Sequence, residues 1–243
     1  MSLLFHVSDL HFGREDRMAL DWFADAVKNE RPDAVIVTGD LTMRARSREY
    51  AAAQDWLVSL NVPVSLEIGN HDLPYYNPFK RLVSPFKRFR RVERAIEQPL
   101  NLPDMILVPL RTTARAQMRL NWASGAVSQR SLHLALSTLD NKPPGALAIV
   151  ACHHPLAPSD NMPVDGATTC GLEAIDALAA AGADVVLSGH VHDAFDRVWI
   201  SSSRPLRLIG AGTLSTRLRQ SDPSFNALLV QDGLLESTVR SMR

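Results

Sequence analysis

The chain contains 243 residues, and its 26 Lys and Arg residues equal its 26 Asp and Glu residues, so the formal net charge is zero. Hydrophobic residues make up 46% and charged residues 21%, which is typical of a globular protein and excludes disordered and fibrous classes. The balanced charge provides no overall attraction to nucleic acids or membranes, so neither is an expected partner.

The ends and cysteines of the chain favour a cytoplasmic protein. No apolar run approaches the roughly 18 residues that cross a bilayer, and the stretch at 3–7 is too short for a secretory signal. Cys152 and Cys170 lack CxxC spacing, so reduced thiols are expected. We expect one domain over residues 1–243, and the sequence leaves a homo-oligomer open.

Short runs of Val, Ile and Leu alternate with stretches of helical periodicity as far as residue 192, a pattern typical of layered α/β proteins. In chain order, this pattern predicts strand 3–7, helix 18–30, strand 34–38, helix 47–60, strands 62–68 and 105–111, helix 128–139, strand 146–152, helix 172–181 and strand 185–188. Four closely spaced strands follow at 195–200, 206–209, 225–230 and 235–239. We expect these to form antiparallel hairpins beside the first sheet.

Residues 73–104 interrupt the alternation with repeated prolines and with Lys and Arg residues concentrated between positions 80 and 94. One interpretation is an exposed helix with a solvated basic face. The other is a rim or lid beside the functional site that attracts an anionic substrate together with Arg111. The position directly after a polar motif favours the second interpretation, because substrate loops leave from such strand ends.

Polar motifs follow the first two predicted strands of the α/β pattern. Asp9 and His11 lie two positions apart, and residues at this spacing in an extended chain project to one side, where both can reach one ion. Asp40 follows the second strand, at the sheet edge where ligands gather. Its two oxygens can bridge two cations, although capping the next helix is an alternative role.

The third motif is Gly69-Asn70-His71-Asp72. Asn70 offers a neutral oxygen ligand. His71 is expected to point toward the substrate, and Asp72 is expected to hold its imidazole through a hydrogen bond. A surface turn with polar side chains is the alternative interpretation.

Two further strands end in histidines. His153 and His154 follow one strand, and only one of them can face the site because neighbouring residues point oppositely. His190 and His192 follow the other strand with the same spacing of two. The combined carboxylate, imidazole and amide set predicts two divalent or trivalent transition-metal ions, namely Mn, Fe or Zn.

In order, the motifs read D-x-H, G-D, G-N-H-D, H and G-H-x-H. This order resembles the calcineurin-like metallophosphoesterases, and within them the bacterial class III cyclic nucleotide phosphodiesterases. The resemblance extends over residues 3–212, with every ligand position retained. It implies an α/β fold, a four-layer α/β/β/α sandwich of two mixed sheets, with a binuclear metal site at the strand ends.

The resemblance also implies a role for each residue. One metal would be held by Asp9, His11, Asp40 and His192, and the other by Asp40, Asn70, His153 and His190. Asp40 would bridge the two ions. His71 would face the phosphoryl group without binding metal, so His71 and Asp72 are the expected catalytic residues.

The expected activity is hydrolysis of a small phosphodiester, such as a 3′,5′-cyclic nucleotide, by a hydroxide that two metals activate. A phosphomonoesterase is the alternative within the same chemistry. A non-catalytic binding scaffold is a third reading, and the retention of all ligands together with His71 argues against it.

Overall fold

The computed structural model describes residues 1–74, 78–100, 102–114, 123–158 and 168–242. Its first elements are β1 (Ser2–Val7), α1 (Arg17–Glu30), β2 (Ala34–Val37), α2 (Ser47–Ser59) and β3 (Val64–Leu66). They are followed by α3 (Pro78–Val83), α4 (Lys87–Ile96), β4 (Met105–Pro109), α5 (Gln129–Leu139) and β5 (Leu147–Ala151). The last are α6 (Gly171–Ala180), β6 (Val185–Ser188), β7 (Phe195–Ile200), β8 (Pro205–Gly210), β9 (Ser224–Gln231) and β10 (Leu234–Ser241).

These strands form two five-stranded mixed sheets. The first sheet has the order β10-β9-β1-β2-β3, in which β1, β2 and β3 are parallel and β9 runs antiparallel to β1. The second has the order β4-β5-β6-β8-β7, in which β7 alone is antiparallel to its neighbour. The carboxyl ends of the central strands therefore meet at one edge of each sheet.

Alternating side chains of the central strands fill two different cores. In β1, Phe5 packs with residues of α1 and α2, whereas Leu4 packs between the two sheets. In β5, Val150 packs with α5 and α6, whereas Ile149 joins Leu4 between the sheets. Strands buried on both faces read as continuous apolar runs. The predicted four-layer α/β/β/α sandwich is thus confirmed.

Local signals fix the element boundaries. Asp16 accepts hydrogen bonds from backbone N–H groups at the start of α1, and the Ser128 side chain does the same for α5. These caps satisfy N–H groups that lack partners within the helix. β3 begins only after Pro63, later than the predicted strand 62–68, because proline has no N–H to donate to a neighbouring strand.

The prediction that both C-terminal hairpins lie beside the first sheet was half wrong. β9 and β10 do join the first sheet, but β7 and β8 extend the second sheet, with β8 parallel to β6. Leu206 and Ile209 of β8 are buried, so this strand takes an internal position. β7 alternates between partly buried and exposed residues and forms the edge.

The basic segment folds into α3 and α4 within its described part, while residues 75–77 and 101 lie outside the described residues. α4 buries Phe89, Val92 and Ile96 against the core beneath the first sheet, which leaves its cationic face exposed. None of the helices described here is long and apolar enough to cross a membrane.

Candidate metal centre

The side chains predicted as metal ligands converge where the two sheets meet. The first sheet supplies ligands after β1, β2 and β3, and the second supplies them after β5 and β6. The set brought together is Asp9, His11, Asp40, Asn70, His153, His190 and His192.

One group of these side chains contains Asp9, His11 and His192. Asp9 Oδ1 lies 3.5 Å from His11 Nε2 and 3.1 Å from His192 Nε2. The two imidazole Nε2 atoms are 3.2 Å apart. All three side chains are buried, so these polar atoms face one another away from solvent.

A second group forms around His153. Its Nε2 lies 3.1 Å from Asn70 Oδ1, and its ring is 5.2 Å from that of His190. Asp40 lies between the two groups, because its Oδ2 is 3.5 Å from His153 Nε2 and 3.7 Å from His11 Nε2. This position is the one that a bridging carboxylate requires.

Backbone carbonyl groups set the orientation of two of the histidines. The Thr38 carbonyl lies 2.7 Å from His153 Nδ1, and the Arg217 carbonyl lies 2.6 Å from His192 Nδ1. Because a carbonyl only accepts, each Nδ1 carries a proton, and each Nε2 is turned into the site. Metal-binding histidines are commonly held in this way.

The carboxylate oxygens and imidazole nitrogens that face the centre are suited to binding a metal ion. Asp9 Oδ1 is buried without a hydrogen-bond donor. Burial raises the pKa of a carboxyl group, but His192 beside Asp9 and His153 beside Asp40 outweigh it and hold both pKa values below their usual range. Burial lowers the pKa of His190 to about 3, which favours its neutral form. For His153 and His192, burial also lowers the pKa, but the neighbouring Asp40 and Asp9 outweigh it and raise both values, so a bound metal would displace a proton from each imidazole. Ionised carboxylates and neutral imidazoles are the forms that bind metals.

His154 is separated from this role by its own hydrogen bonds. Its Nδ1 lies 2.9 Å from Thr112 Oγ1, and its Nε2 lies 2.9 Å from the Ala123 carbonyl. Both ring nitrogens are therefore occupied. This agrees with the choice of His153 as the ligand.

Side chains two positions apart in the chain come together for a different reason from the predicted one. Asp9 and His11 have φ values of 57° and 45°, and His190 and His192 have values of 71° and 63°. These are left-handed turns, not an extended chain, and each costs a non-glycine residue about 1 kcal/mol or more. Asp40 adopts the same conformation, with φ 54°. Backbone strain of this kind concentrates at functional sites.

Two glycines permit the ligand-bearing ends of the sheets to approach closely. A Cβ on Gly39 would lie 2.5 Å from His153 Nδ1, and Gly39 also has a φ of +97°. A Cβ on Gly189 would collide with the Ser8 side chain and lie 2.8 Å from Asp9 Oδ2. Each glycine therefore belongs to one sheet and makes room for a polar residue of the other.

The structure corrects the predicted pairing of His71 with Asp72. His71 Nδ1 lies 2.9 Å from the Met43 carbonyl. The Asp72 carboxylate instead accepts hydrogen bonds from the N–H groups of Leu41, Thr42 and Gly69 and from Thr42 Oγ1. Asp72 thus joins two ligand-bearing loops, and Met43 orients the imidazole.

Arg217 is a site residue that the sequence did not indicate. It lies on the loop after β8, and its Nη1 is 3.0 Å from His71 Nε2 and 3.3 Å from His11 Nε2. A single arginine in a loop, 25 residues after His192, carries no motif. Only the fold brings it beside the ligands.

Known proteins share both the sequence pattern and this fold. Residues 3–194 match the calcineurin-like phosphoesterase family. The glycerophosphodiester phosphodiesterase GpdQ of Enterobacter lignolyticus is 38% identical over 81 residues, an alignment that spans 29% of this chain and 29% of that relative.

Two solved structures are similar over almost the whole chain. A dimetal phosphatase from Danio rerio superposes with a TM-score of 0.68 at 14% identity, covering 99% of this chain and 96% of the other. The purple acid phosphatase PPD1 from yellow lupin superposes with a TM-score of 0.66 at 11% identity, covering 99% and 51%. These likenesses bear on the fold, and the family match covers most of the chain. The chain therefore belongs to the calcineurin-like phosphoesterase family.

Proposed function

We propose that this protein is a binuclear metal-dependent phosphodiesterase that hydrolyses small diesters, including 3′,5′-cyclic nucleotides. The observation that carries the proposal is the pair of ligand groups that share Asp40, with His71 beside them. Family membership supports a phosphoesterase that uses two transition-metal ions. Mn, Fe and Zn all suit ligands of this chemistry.

The proposed ligand assignment follows the two groups. One ion would be held by Asp9, His11, Asp40 and His192, and the other by Asp40, Asn70, His153 and His190. When bound, such ions stabilise the charge on phosphoryl oxygens and lower the pKa of an attacking water.

His71 is the proposed proton donor to the leaving oxygen. Met43 accepts a hydrogen bond from its Nδ1, and Arg217 donates one to its Nε2, so Nε2 carries the transferred proton once Arg217 has turned to the phosphate. Acid assistance of this kind contributes about 10²–10⁴ to a rate. Asp72 is a positioning residue in this scheme, because its contacts fix the loops that carry Asp40 and His71.

Arg217 is proposed to bind the non-bridging oxygens of the phosphate. Its guanidinium group lies between His71 and His11, and a guanidinium pairs with phosphate through two parallel hydrogen bonds. Arg217→Gln should raise KM for a diester about 10- to 100-fold, since a hydrogen bond to a charged group contributes about 1.5–3 kcal/mol. Metal content should stay at two per chain, and steady-state kinetics with metal analysis would check both. An unchanged KM would remove Arg217 from the substrate site.

The preference for diesters is supported by the local similarity to GpdQ, a glycerophosphodiester phosphodiesterase. A monoesterase is the alternative, in line with the phosphatases of the same fold. Metal-reconstituted protein should hydrolyse bis(p-nitrophenyl) phosphate with a higher kcat/KM than p-nitrophenyl phosphate. The reverse order would favour the monoesterase. If the protein binds metal but hydrolyses neither compound, it is a non-catalytic binding scaffold.

A further inference from the structure

A large cationic cavity lies outside the metal centre. Its volume is about 1240 Å³, which is ample for a small-molecule ligand. Its cationic side chains come from four separate parts of the fold. They are Lys80 of α3, Lys87, Arg88, Arg90, Arg91 and Arg94 of α4, Arg111 after β4, and Arg130 of α5. Among the described residues that line it, Asp72 is the single acidic one.

Four arginines of the cavity have no acidic partner among the described residues. No ion pair within 4 Å joins Arg91, Arg94, Arg111 or Arg130 to an acidic side chain in the part of the chain that the structure describes. Burial and the nearby Glu97 raise the pKa of Glu67 well above its usual range, so this carboxyl group beside Arg111 favours its neutral form. Unpaired like charges repel one another, and a bound anion relieves that repulsion.

Aromatic contacts hold part of this cluster in place. The guanidinium carbon of Arg111 lies 4.7 Å from the centre of the Phe86 ring, and that of Arg90 lies 5.8 Å from the same ring. Arg88 donates a hydrogen bond from Nη1 to the Ala45 carbonyl at 2.6 Å. These contacts orient the cations without cancelling their charge.

The cavity adjoins the loops that carry the proposed proton donor. Asp72 and Ala45 form part of its wall. Asp72 directly follows His71 in the chain, and Ala45 lies two residues after Met43, whose carbonyl holds the His71 ring. The cavity therefore lies beside the centre where the scissile phosphate of a substrate would bind.

We propose that this cavity binds a further anionic group of the substrate, so that the preferred substrate is a small phosphodiester bearing at least one additional phosphate. This inference rests on the proposed function for its substrate, but not for the anion site itself. Guanidinium groups from several directions suit a phosphate dianion because each provides a pair of parallel donors.

The anion site is tested first by binding, with metal-loaded protein and a probe that cannot be hydrolysed as a phosphate ester. Pyrene-1,3,6,8-tetrasulfonate carries four charges, and pyrene-1-sulfonate carries one on the same ring. Fluorescence titration should show that Arg91→Gln with Arg94→Gln weakens tetrasulfonate binding about tenfold and affects the monosulfonate little. Both side chains are exposed, so the fold should be unaffected.

The control removes the same charge elsewhere, by Lys28→Gln with Arg48→Gln on the exposed surfaces of α1 and α2. It should bind the tetrasulfonate as the unmodified protein does. Equal binding by all three proteins would overturn the cavity as an anion site.

The substrate class is tested with two diesters that release the same leaving group. Thymidine 5′-(p-nitrophenyl phosphate) has one charge, and its 3′-phosphate derivative carries an additional phosphate. The unmodified protein should prefer the derivative at least about tenfold in kcat/KM, and the Arg91 and Arg94 variant should lose that preference. Equal kcat/KM values for the two esters in the unmodified protein would overturn the substrate assignment. If the protein hydrolyses neither ester, the proposed function is wrong. The binding comparison would still show whether the cavity binds anions.

Discussion

The two sheets contribute different chemistry to one centre. The first sheet supplies both carboxylates and the amide, together with a single imidazole, whereas the second supplies imidazoles alone. The negative charge therefore comes from one half of the fold, and neutral lone pairs come from the other. Neither sheet edge alone has both the charge and the number of ligands that a binuclear site needs.

The two sheets are also held differently at this edge. On the first sheet, Asp72 joins the loops after β2 and β3 through its hydrogen bonds. On the second, His153 is oriented by the Thr38 carbonyl, which belongs to the first sheet. The direction of His153 thus depends on the first sheet, so changes on that sheet should have larger effects.

The largest effect is expected from Asp40→Asn. Asp40 Oδ2 lies between the two ligand groups, and an amide removes its charge and turns a donor toward them. Hydrolysis should fall to the level seen without metal, and mass spectrometry should find fewer than two metals per chain. As a matched control, Asp196→Asn removes a carboxylate that pairs with Arg207 at the surface, and it should retain both metals and activity. Full metal content and activity in Asp40→Asn would eliminate the bridging role.

His71→Ala should have the next largest effect, because it separates proton transfer from metal binding. Its imidazole contacts Met43 and Arg217 and is not needed as a ligand in the proposed scheme. Both metals should remain, while hydrolysis of 3′,5′-cyclic AMP slows about 10²–10⁴-fold.

Hydrolysis of bis(p-nitrophenyl) phosphate by the same variant should slow less, since p-nitrophenolate leaves without protonation. Loss of metal from His71→Ala, or equal slowing with both substrates, would contradict the role of proton donor.

Gly189→Ala tests the close approach of the sheets directly. The added methyl group would collide with Ser8 and crowd Asp9, and overpacking of this kind costs about 1–3 kcal/mol. Metal affinity should fall about 10- to 100-fold, as it does when supporting contacts of ligands are disturbed. Gly145→Ala is the control, because nothing lies within 4 Å of its added Cβ and its φ of +77° adds backbone strain only. It should lose stability without losing metal affinity, as measured by titration and thermal unfolding.

The sequence identified the fold class and predicted the set of side chains that the structure brings together, because both follow from local patterns. Strands buried on two faces read as unbroken apolar runs, and each ligand directly follows one of them. The supporting contacts were not predictable in the same way. The carbonyl groups of Thr38 and Met43 exist at every position of a chain, so nothing in the sequence distinguishes them. Arg217 depends on a loop whose position only the packed sheets define.

The smallest expected effect concerns a buried carboxyl group of the first sheet that lies outside the ligand set. Neighbouring imidazoles hold the pKa of Asp40 low, whereas burial and Glu97 raise the pKa of Glu67. The raised value means that the folded protein keeps this proton after the unfolded chain has released it. Stability should therefore decrease as pH rises above the unfolded value of about 4.5, by at most about 1.4 kcal/mol per pH unit, until the folded pKa is reached.

Glu67→Gln should remove that decrease, because an amide does not titrate. The variant should match the unmodified protein near pH 4.5 and exceed its free energy of unfolding by a growing margin toward pH 8. Urea unfolding of metal-loaded protein across this range measures the difference directly, and effects of pH on metal binding cancel in the comparison. A margin that shrinks as pH rises would mean that Glu67 is ionised in the folded protein, with Arg111 outweighing burial. The pKa of Glu67 would then be lowered, as that of Asp40 is. The pKa values of buried carboxyl groups would no longer differ according to whether an imidazole lies beside them.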